Sequence, residues 1–198
     1  MGNLPDSLLN SSNYLQELDV SHNYIYGPLP GWLGNLSRLI SLAMTNNCLE
    51  GPVSHMNYGN WTNFNLLDNN IHGSVPNIFS PSSLQHVHLQ NNGLKGPMSK
   101  AFSNCSSLVT LDVSYNHLTG AIPEWIGGLS NLGALLLEGN QFEGRIPKLQ
   151  RLSIMGFSHN ILSGQIRSCF DNITFARENE PYERNWEVFL SGIDLSCN

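Results

Sequence analysis

One nine-residue pattern, LxxLxLxxN, returns eight times along the chain. It reads LQELDVSHN at Leu15–Asn23, LISLAMTNN at Leu39–Asn47, WTNFNLLDN at Trp61–Asn69 and LQHVHLQNN at Leu84–Asn92. It continues as LVTLDVSYN at Leu108–Asn116, LGALLLEGN at Leu132–Asn140, LSIMGFSHN at Leu152–Asn160 and LSGIDLSCN at Leu190–Asn198. Successive motif asparagines lie 24, 22, 23, 24, 24, 20 and 38 residues apart. A second block, xLxGxIP, follows most of them, as in Ile25–Pro30, Gly73–Pro76 (GSVP), Gly120–Pro123 (GAIP) and Gly144–Pro147 (GRIP). Self-similarity at a period in the twenties is the signature of stacked coils, each burying its apolar face only against the next.

Each position of the pattern has a physical reading. The alternating leucines of LxLxxN point to one side of a short strand. Copies stacked about 4.8 Å apart form a parallel sheet over a continuous leucine core. The repeated asparagine sits where the chain leaves the strand. Its amide both donates and accepts, so it can satisfy backbone groups of neighbouring coils. Gly and Pro in GxIP punctuate the turn and end any extension of the strand.

Composition narrows the function. Leu (29), Asn (25), Ser (23) and Gly (18) fill 95 of 198 positions, and only 12% of residues are charged. A hydrophobic content of 40% is too high for a disordered chain. A net charge of −6 is wrong for a nucleic-acid binder, which needs a basic surface. The chain holds no apolar run near the roughly 18 residues that span a bilayer, and its first residues, MGNLPDSLLN, lack the basic and apolar regions of a signal peptide. Four cysteines (Cys48, Cys105, Cys169, Cys197) occur singly, which argues against a zinc site and a dense disulfide scaffold. No GxSxG, HExxH, GxxxxGK[ST] or post-strand GxGxxG motif is present, so no enzymatic activity and no cofactor are expected.

The pattern resembles the plant extracellular leucine-rich-repeat class, with consensus LxxLxLxxNxLxGxIPxxLxxLxx. The stretch Phe102–Leu132 and the ending LSGIDLSCN look like the membrane-anchored, kinase-lacking receptor-like proteins of plants. The resemblance implies an α/β-type repeat solenoid, with a curved parallel β-sheet on the concave side and irregular or 3₁₀ turns on the convex side. It divides the chain into a partial repeat (1–14), seven repeats (15–170), an island-like insertion (171–189) and a truncated eighth repeat (190–198). The insertion carries five acids against two arginines. Both ends cut through a repeat, so the chain reads as an internal ectodomain fragment whose end coils expose apolar edge and limit its solubility. By resemblance the parent sits on the outer face of the plasma membrane through a transmembrane helix missing here. It would bind a peptide, glycan or pathogen-derived protein in defence or developmental signalling, alongside a companion receptor kinase and a co-receptor kinase. The alternatives are a polygalacturonase-inhibitor-like protein directed at a secreted cell-wall hydrolase, or an inactive relic.

Binding residues are expected among the non-leucine strand positions, which face the concave surface. The candidates are Glu17, Asp19, His22, Asn65, Asp68, His86, His88, Asp112 and Tyr115. The first five repeats are polar here, whereas Ala134, Leu136 and Ile154 make the sixth and seventh more apolar. His86 and His88 project from one face about 7 Å apart, with Asp112 expected beside His88. Two His and one Asp suit zinc, but no fourth ligand is evident, so no metal is assigned. Five of seven histidines (His22, His86, His88, His117, His159) fall at or beside this face, and titration near 6.5 would make binding pH-dependent between about pH 5 and 7. Five N-x-S/T sequons occur, at Asn10, Asn35, Asn60, Asn104 and Asn172. Asn10, Asn35 and Asn104 fall between strands on the outer side, whereas Asn60 directly precedes a strand. Cys105 reads as a small buried apolar residue. Cys169 and Cys197 either pair across the insertion or are free thiols.

Overall fold

The computed structural model describes residues 2, 4–5, 14–53, 60–75, 83–149 and 152–164. Asn10, Asn172, Cys169, Cys197, the 171–189 insertion and the 190–198 repeat lie outside these residues. The described coils hold fourteen short strands, numbered β1–β14 in chain order, in two parallel sheets of seven. The inner sheet is built from the LxL segments. Its strands are β1 (Glu17–Asp19), β3 (Ser41–Ala43), β5 (Asn63–Asn65), β7 (His86–His88), β9 (Thr110–Asp112), β11 (Ala134–Leu136) and β13 (Ile154–Gly156), side by side in that order. The outer sheet is built from the xLxG segments. It comprises β2 (Tyr26–Pro28), β4 (Cys48–Gly51), β6 (Asn70–Gly73), β8 (Gly93–Gly96), β10 (His117–Ala121), β12 (Gln141–Gly144) and β14 (Ile161–Leu162). This is the solenoid that the repeat predicts. The outer sheet is an addition to that expectation, because segments rich in Gly and Pro read as turns.

The two sheets differ in register. In the inner sheet equivalent residues sit directly opposite, so Leu18, Leu42, Phe64, Val87, Leu111, Leu135 and Met155 form one apolar column. In the outer sheet the apolar residue of each coil pairs with the glycine of the coil before it. Leu49 pairs with Gly27, Ile71 with Gly51, Leu94 with Gly73, Leu118 with Gly96, Phe142 with Gly120 and Leu162 with Gly144. Each added coil therefore shifts the outer pairing by two residues.

The motif asparagines bind coil to coil. Asn116 is 4% exposed. Its Nδ2 donates to the carbonyls of Leu89 (2.9 Å), Val113 (3.1 Å) and Ser114 (3.0 Å), and its Oδ1 accepts from the Leu94 N–H (2.9 Å). Asn47, Asn69, Asn92, Asn140 and Asn160 repeat this arrangement. One side chain thus satisfies two of its own carbonyls, plus one carbonyl and one N–H of the preceding coil, groups that would be costly to bury unpaired.

Two left-handed backbone positions recur in each coil. One is the residue before the motif asparagine: His22, Asn46, Asp68, Asn91, Tyr115, Gly139 and His159, with φ between 50° and 61°. The other is the glycine of xLxG, from Gly27 to Gly164. Asn, Asp, His and Gly tolerate this region best, and Tyr115 is the exception. On the convex side, 3₁₀ turns at Gly31–Asn35, Lys100–Asn104 and Glu124–Gly128 bury Leu33, Phe102 and Ile126. The core is one continuous cluster, within which the Trp61 and Phe64 ring centroids lie 5.5 Å apart.

Candidate ligand-binding face

Strand alternation turns two residues of every inner strand away from the core, and the strict register aligns them in columns. The first column runs Glu17, Ser41, Asn63, His86, Thr110, Ala134, Ile154, and the second runs Asp19, Ala43, Asn65, His88, Asp112, Leu136, Gly156. The left-handed residues form a third line along one rim. All nine sequence-predicted binding residues lie on these three lines, but they are not one cluster. Glu17, Asp19 and His22 belong to the first described coil and are exposed. His86, His88 and Asp112 meet at the centre, three strand steps away.

The central group is half-buried and internally bonded. His86 Nδ1 lies 3.2 Å from Thr110 Oγ1. His88 is paired in register with Asp112. Asp112 is 3% exposed, and its Oδ1 accepts from the Ser114 hydroxyl (2.6 Å) and N–H (3.0 Å). Burial pushes the Asp112 carboxyl up from its usual value against the pull of those Ser114 bonds, and Glu138 adds to the rise. Burial holds His88 down to about 4, helped by His86, and burial also lowers His86. The expected titration of the histidines near 6.5 is therefore corrected at His88, because a charged imidazolium is disfavoured where water is excluded. His117 is corrected in position: it opens β10 and belongs to the outer sheet. Among the described residues, no three His, Cys, Asp or Glu side chains converge to hold a metal ion.

At the rim, His22 Nδ1 lies 3.1 Å from Asn46 Nδ2, and Asn91 Nδ2 donates to Asp68 Oδ1 at 2.7 Å. The ring of Tyr115, 52% exposed, lies across Gly139, where a Cβ would stand 2.6 Å from its Cδ1. An open cleft of about 660 Å³ leads from Asp68 and Asn91 over the rim to Tyr26, Cys48, Glu50 and Asn70 of the outer sheet. Toward the far end, Ala134, Leu136 and Ile154 are half-buried, and Glu138 lies against Gly156.

The repeat places Gln90 on the inner face, although it is not among the nine candidates, and its burial is not legible in the sequence. It is 8% exposed on the inner face, and its Oε1 is buried with no hydrogen-bond partner among the described residues. No local signal marks it, because its burial comes from the flanking coils. The Asp112–Ser114 bond had a signal in the twin DVS triplets at 19–21 and 112–114, since a side chain bonding its own backbone two residues on makes an Asx turn. Asn35, Asn60 and Asn104 are all exposed. Cys105 is buried and donates to the Ala101 carbonyl at 3.7 Å, and burial pushes its thiol up to about 11. Cys48 is a free, exposed thiol.

Comparison with known proteins places this geometry in a lineage. Leucine-rich-repeat family models match residues 14–36 and 82–142. Receptor-like protein 18 of Arabidopsis thaliana is 37% identical over 192 residues, an alignment covering 82% of this chain and 23% of that protein. Receptor-like protein 35 of the same plant is 35% identical over 162 residues, covering 80% of this chain and 16% of that protein. The chain thus spans less than a quarter of the length of these relatives. Among solved structures, the Arabidopsis receptor kinase HAESA ectodomain, in complex with an extended IDA peptide hormone, shares the fold with TM-score 0.76 and 28% identity, over 87% of this chain and 30% of that one. The ectodomain of the Arabidopsis receptor kinase GASSHO1/SCHENGEN3, in complex with CASPARIAN STRIP INTEGRITY FACTOR 2, gives TM-score 0.75 and 29% identity, over 86% of this chain and 21% of that one. Seven described coils in one register, an asparagine ladder, a second sheet built on xLxG and these relatives agree: the chain belongs to the leucine-rich-repeat family, in its plant receptor-like protein branch.

Proposed function

We propose that this chain is a ligand-recognition segment of a plant cell-surface receptor-like protein, and that the inner sheet is the surface that binds. The observation that carries this is the pair of outward columns on the strands of the inner sheet, lined by groups that differ from coil to coil while the core columns stay apolar. Selection for folding alone would not require such variety on one face. The neighbours with bound peptides are receptor ectodomains of the same fold, which supports a peptide ligand. The fold by itself does not decide, since a plant ice-binding protein also shares it, at TM-score 0.70 and 28% identity. In this reading the parent protein faces the cell exterior and signals through a companion receptor kinase and a co-receptor kinase. The apolar end of the inner face, Ala134, Leu136 and Ile154, is suited to a protein contact. Asn35, Asn60 and Asn104 carry glycans where they do not obstruct the inner sheet. The segment has no catalytic role.

A glycan wedge tests the proposal. Leu67→Thr makes Asn65 a sequon on the inner face, and His72→Thr makes Asn70 one on the outer sheet. Both changes are made in the chain secreted from plant cells, and binding is measured for a cell-wall extract fraction that the unaltered chain retains. Binding should vanish with the inner glycan and persist with the outer one. Loss only with the outer glycan would refute the assignment.

A further inference from the structure

The fixed charges of the described coils are sorted by face. Arg38, Lys95, Lys100, Arg145 and Lys148 all lie on the outer sheet or in the convex segments. The inner face holds Glu17, Asp19, Asp68, Asp112 and Glu138, and no Lys or Arg stands among its described residues. Outside that face there are three acids, Glu50, Glu124 and Glu143, against those five bases. One of them, Glu50, lines the cleft that continues the inner face past Asp68 and over the rim to the ring of Tyr26. Gln90 presents a buried carbonyl oxygen lacking a donor, among the described residues. A carboxylate accepts only, so this surface offers acceptors in excess and lacks the fixed cations that would hold an anion.

We infer that the inner face selects a basic peptide segment, whose Lys or Arg side chains meet Asp68 and Glu138, with the buried Asp112 between them adding to the negative field. The inference rests on the reading of the inner sheet as the binding surface. Lys and Arg carry donors and no acceptors, the complement of what the face presents. One-signed charge along a concave wall raises the local concentration of the opposite sign and turns away acidic partners. The repeat itself supplies neutral replacements that keep the fold. Asn65 Oδ1 accepts from the Leu67 N–H at 3.1 Å, the same local bond that Asp112 makes to Ser114, so Asp112→Asn preserves the turn. Asn46 and Asn91 occupy the left-handed position that Asp68 occupies, so Asp68→Asn is tolerated there.

The test uses the full 198-residue chain near neutral pH. Three fluorescein-labelled probes are followed by anisotropy: a peptide of arginine–glycine–serine triplets, the same peptide with glutamate for arginine, and spermidine conjugate as a non-peptide cation. The basic peptide should bind best, and weaken several-fold as ionic strength rises from about 0.05 to about 0.3 M. The inner variant Asp68→Asn/Asp112→Asn/Glu138→Gln should lose roughly tenfold in affinity. The outer variant Glu124→Gln/Glu143→Gln, compared with the inner pair Asp68→Asn/Glu138→Gln that removes the same charge, should change little. Equal loss in both variants would reduce the effect to net charge and overturn the inference, as would failure of the basic peptide to bind. Spermidine binding as tightly as the peptide would overturn the peptide assignment. Binding of the glutamate peptide, abolished by the inner glycan at Asn65, would overturn the charge selection while leaving the inner sheet as the binding surface.

Discussion

The sequence Asp-Val-Ser-x-Asn occurs twice, at residues 19–23 and 112–116. The local structure is the same in both. Asp19 Oδ1 accepts from the Ser21 N–H at 2.9 Å, and Asp112 Oδ1 accepts from the Ser114 N–H at 3.0 Å. The next residue is left-handed in each, His22 at φ 56° and Tyr115 at φ 50°. The surroundings differ. Asp19 is exposed on the first strand of the inner sheet, and its carboxyl is held below its usual value by the Ser21 bonds. Asp112 is buried in the middle of the stack, and its carboxyl is pushed the other way. Among the described residues Asn23 bonds the carbonyls of Val20 and Ser21, whereas Asn116 also ties down Leu89 and Leu94 of the coil before. Five residues specify the turn, and the stack decides what each bond is worth.

The largest effect expected from this contrast is at the asparagines. Asn116→Ala leaves the buried Leu94 N–H unpaired and takes one of two donors from the Leu89, Val113 and Ser114 carbonyls, and should cost about 1–3 kcal/mol in a urea melt. Asn23→Ala should cost less than about 1 kcal/mol, because water replaces the side chain there. Equal losses would mean that the stack adds nothing. Next comes the rim. Asn fits the left-handed site of other coils, yet Gly139→Asn should cost about 1–3 kcal/mol because its Cβ collides with the Tyr115 ring. The penalty should shrink when Tyr115→Asn is added, a coupling that a double-mutant cycle reads directly.

His88 sharpens the comparison through pH. Its folded value is about 4 and its unfolded value 6.5, so the unfolded chain takes up the proton first as pH falls. Stability should drop between about pH 6.5 and 4, by about 1–3 kcal/mol after allowance for partial exposure. His88→Asn should flatten that slope, since Asn65 already fills the equivalent place in β5. A profile of unchanged slope would contradict the burial of this ring. The smallest effect separates the two aspartates by sign. Asp112 has a raised folded value, so its ionisation works against folding as pH rises from 3.8, and Asp112→Asn should stabilise the chain at neutral pH and less so toward pH 4. Asp19 has a lowered folded value, so Asp19→Asn should weaken the chain slightly at neutral pH and not at all well below pH 3. The same sign for both would break the distinction.

The spacing of the leucines and asparagines made the inner sheet, its order, its core columns and the bonding role of the asparagines legible in advance, because each follows from a side chain repeated at one place per coil. The outer sheet was hidden. Its strands contain Gly and Pro, and they become strands only because the next coil supplies a partner two residues out of step. All nine candidate binding residues lie along the inner face and its rim, but which of them are buried was not legible. Asp19 and Asp112 have the same two following residues, and only their place in the stack separates them. The burial of Gln90 and the low titration of His88 were hidden for the same reason.

The left-handed residue of each coil sets a rule for how such a surface diversifies. Six of the seven described rim positions hold Asn, Asp, His or Gly, the side chains that this backbone accepts at small cost. The two strand columns beside them carry no such restriction and hold anything from Gly to Ile. New binding specificities can therefore be written freely across the middle of the sheet, while its border is confined to a four-letter alphabet, and a bulky rim residue such as Tyr115 is admitted only where the next coil gives up its own side chain to make room.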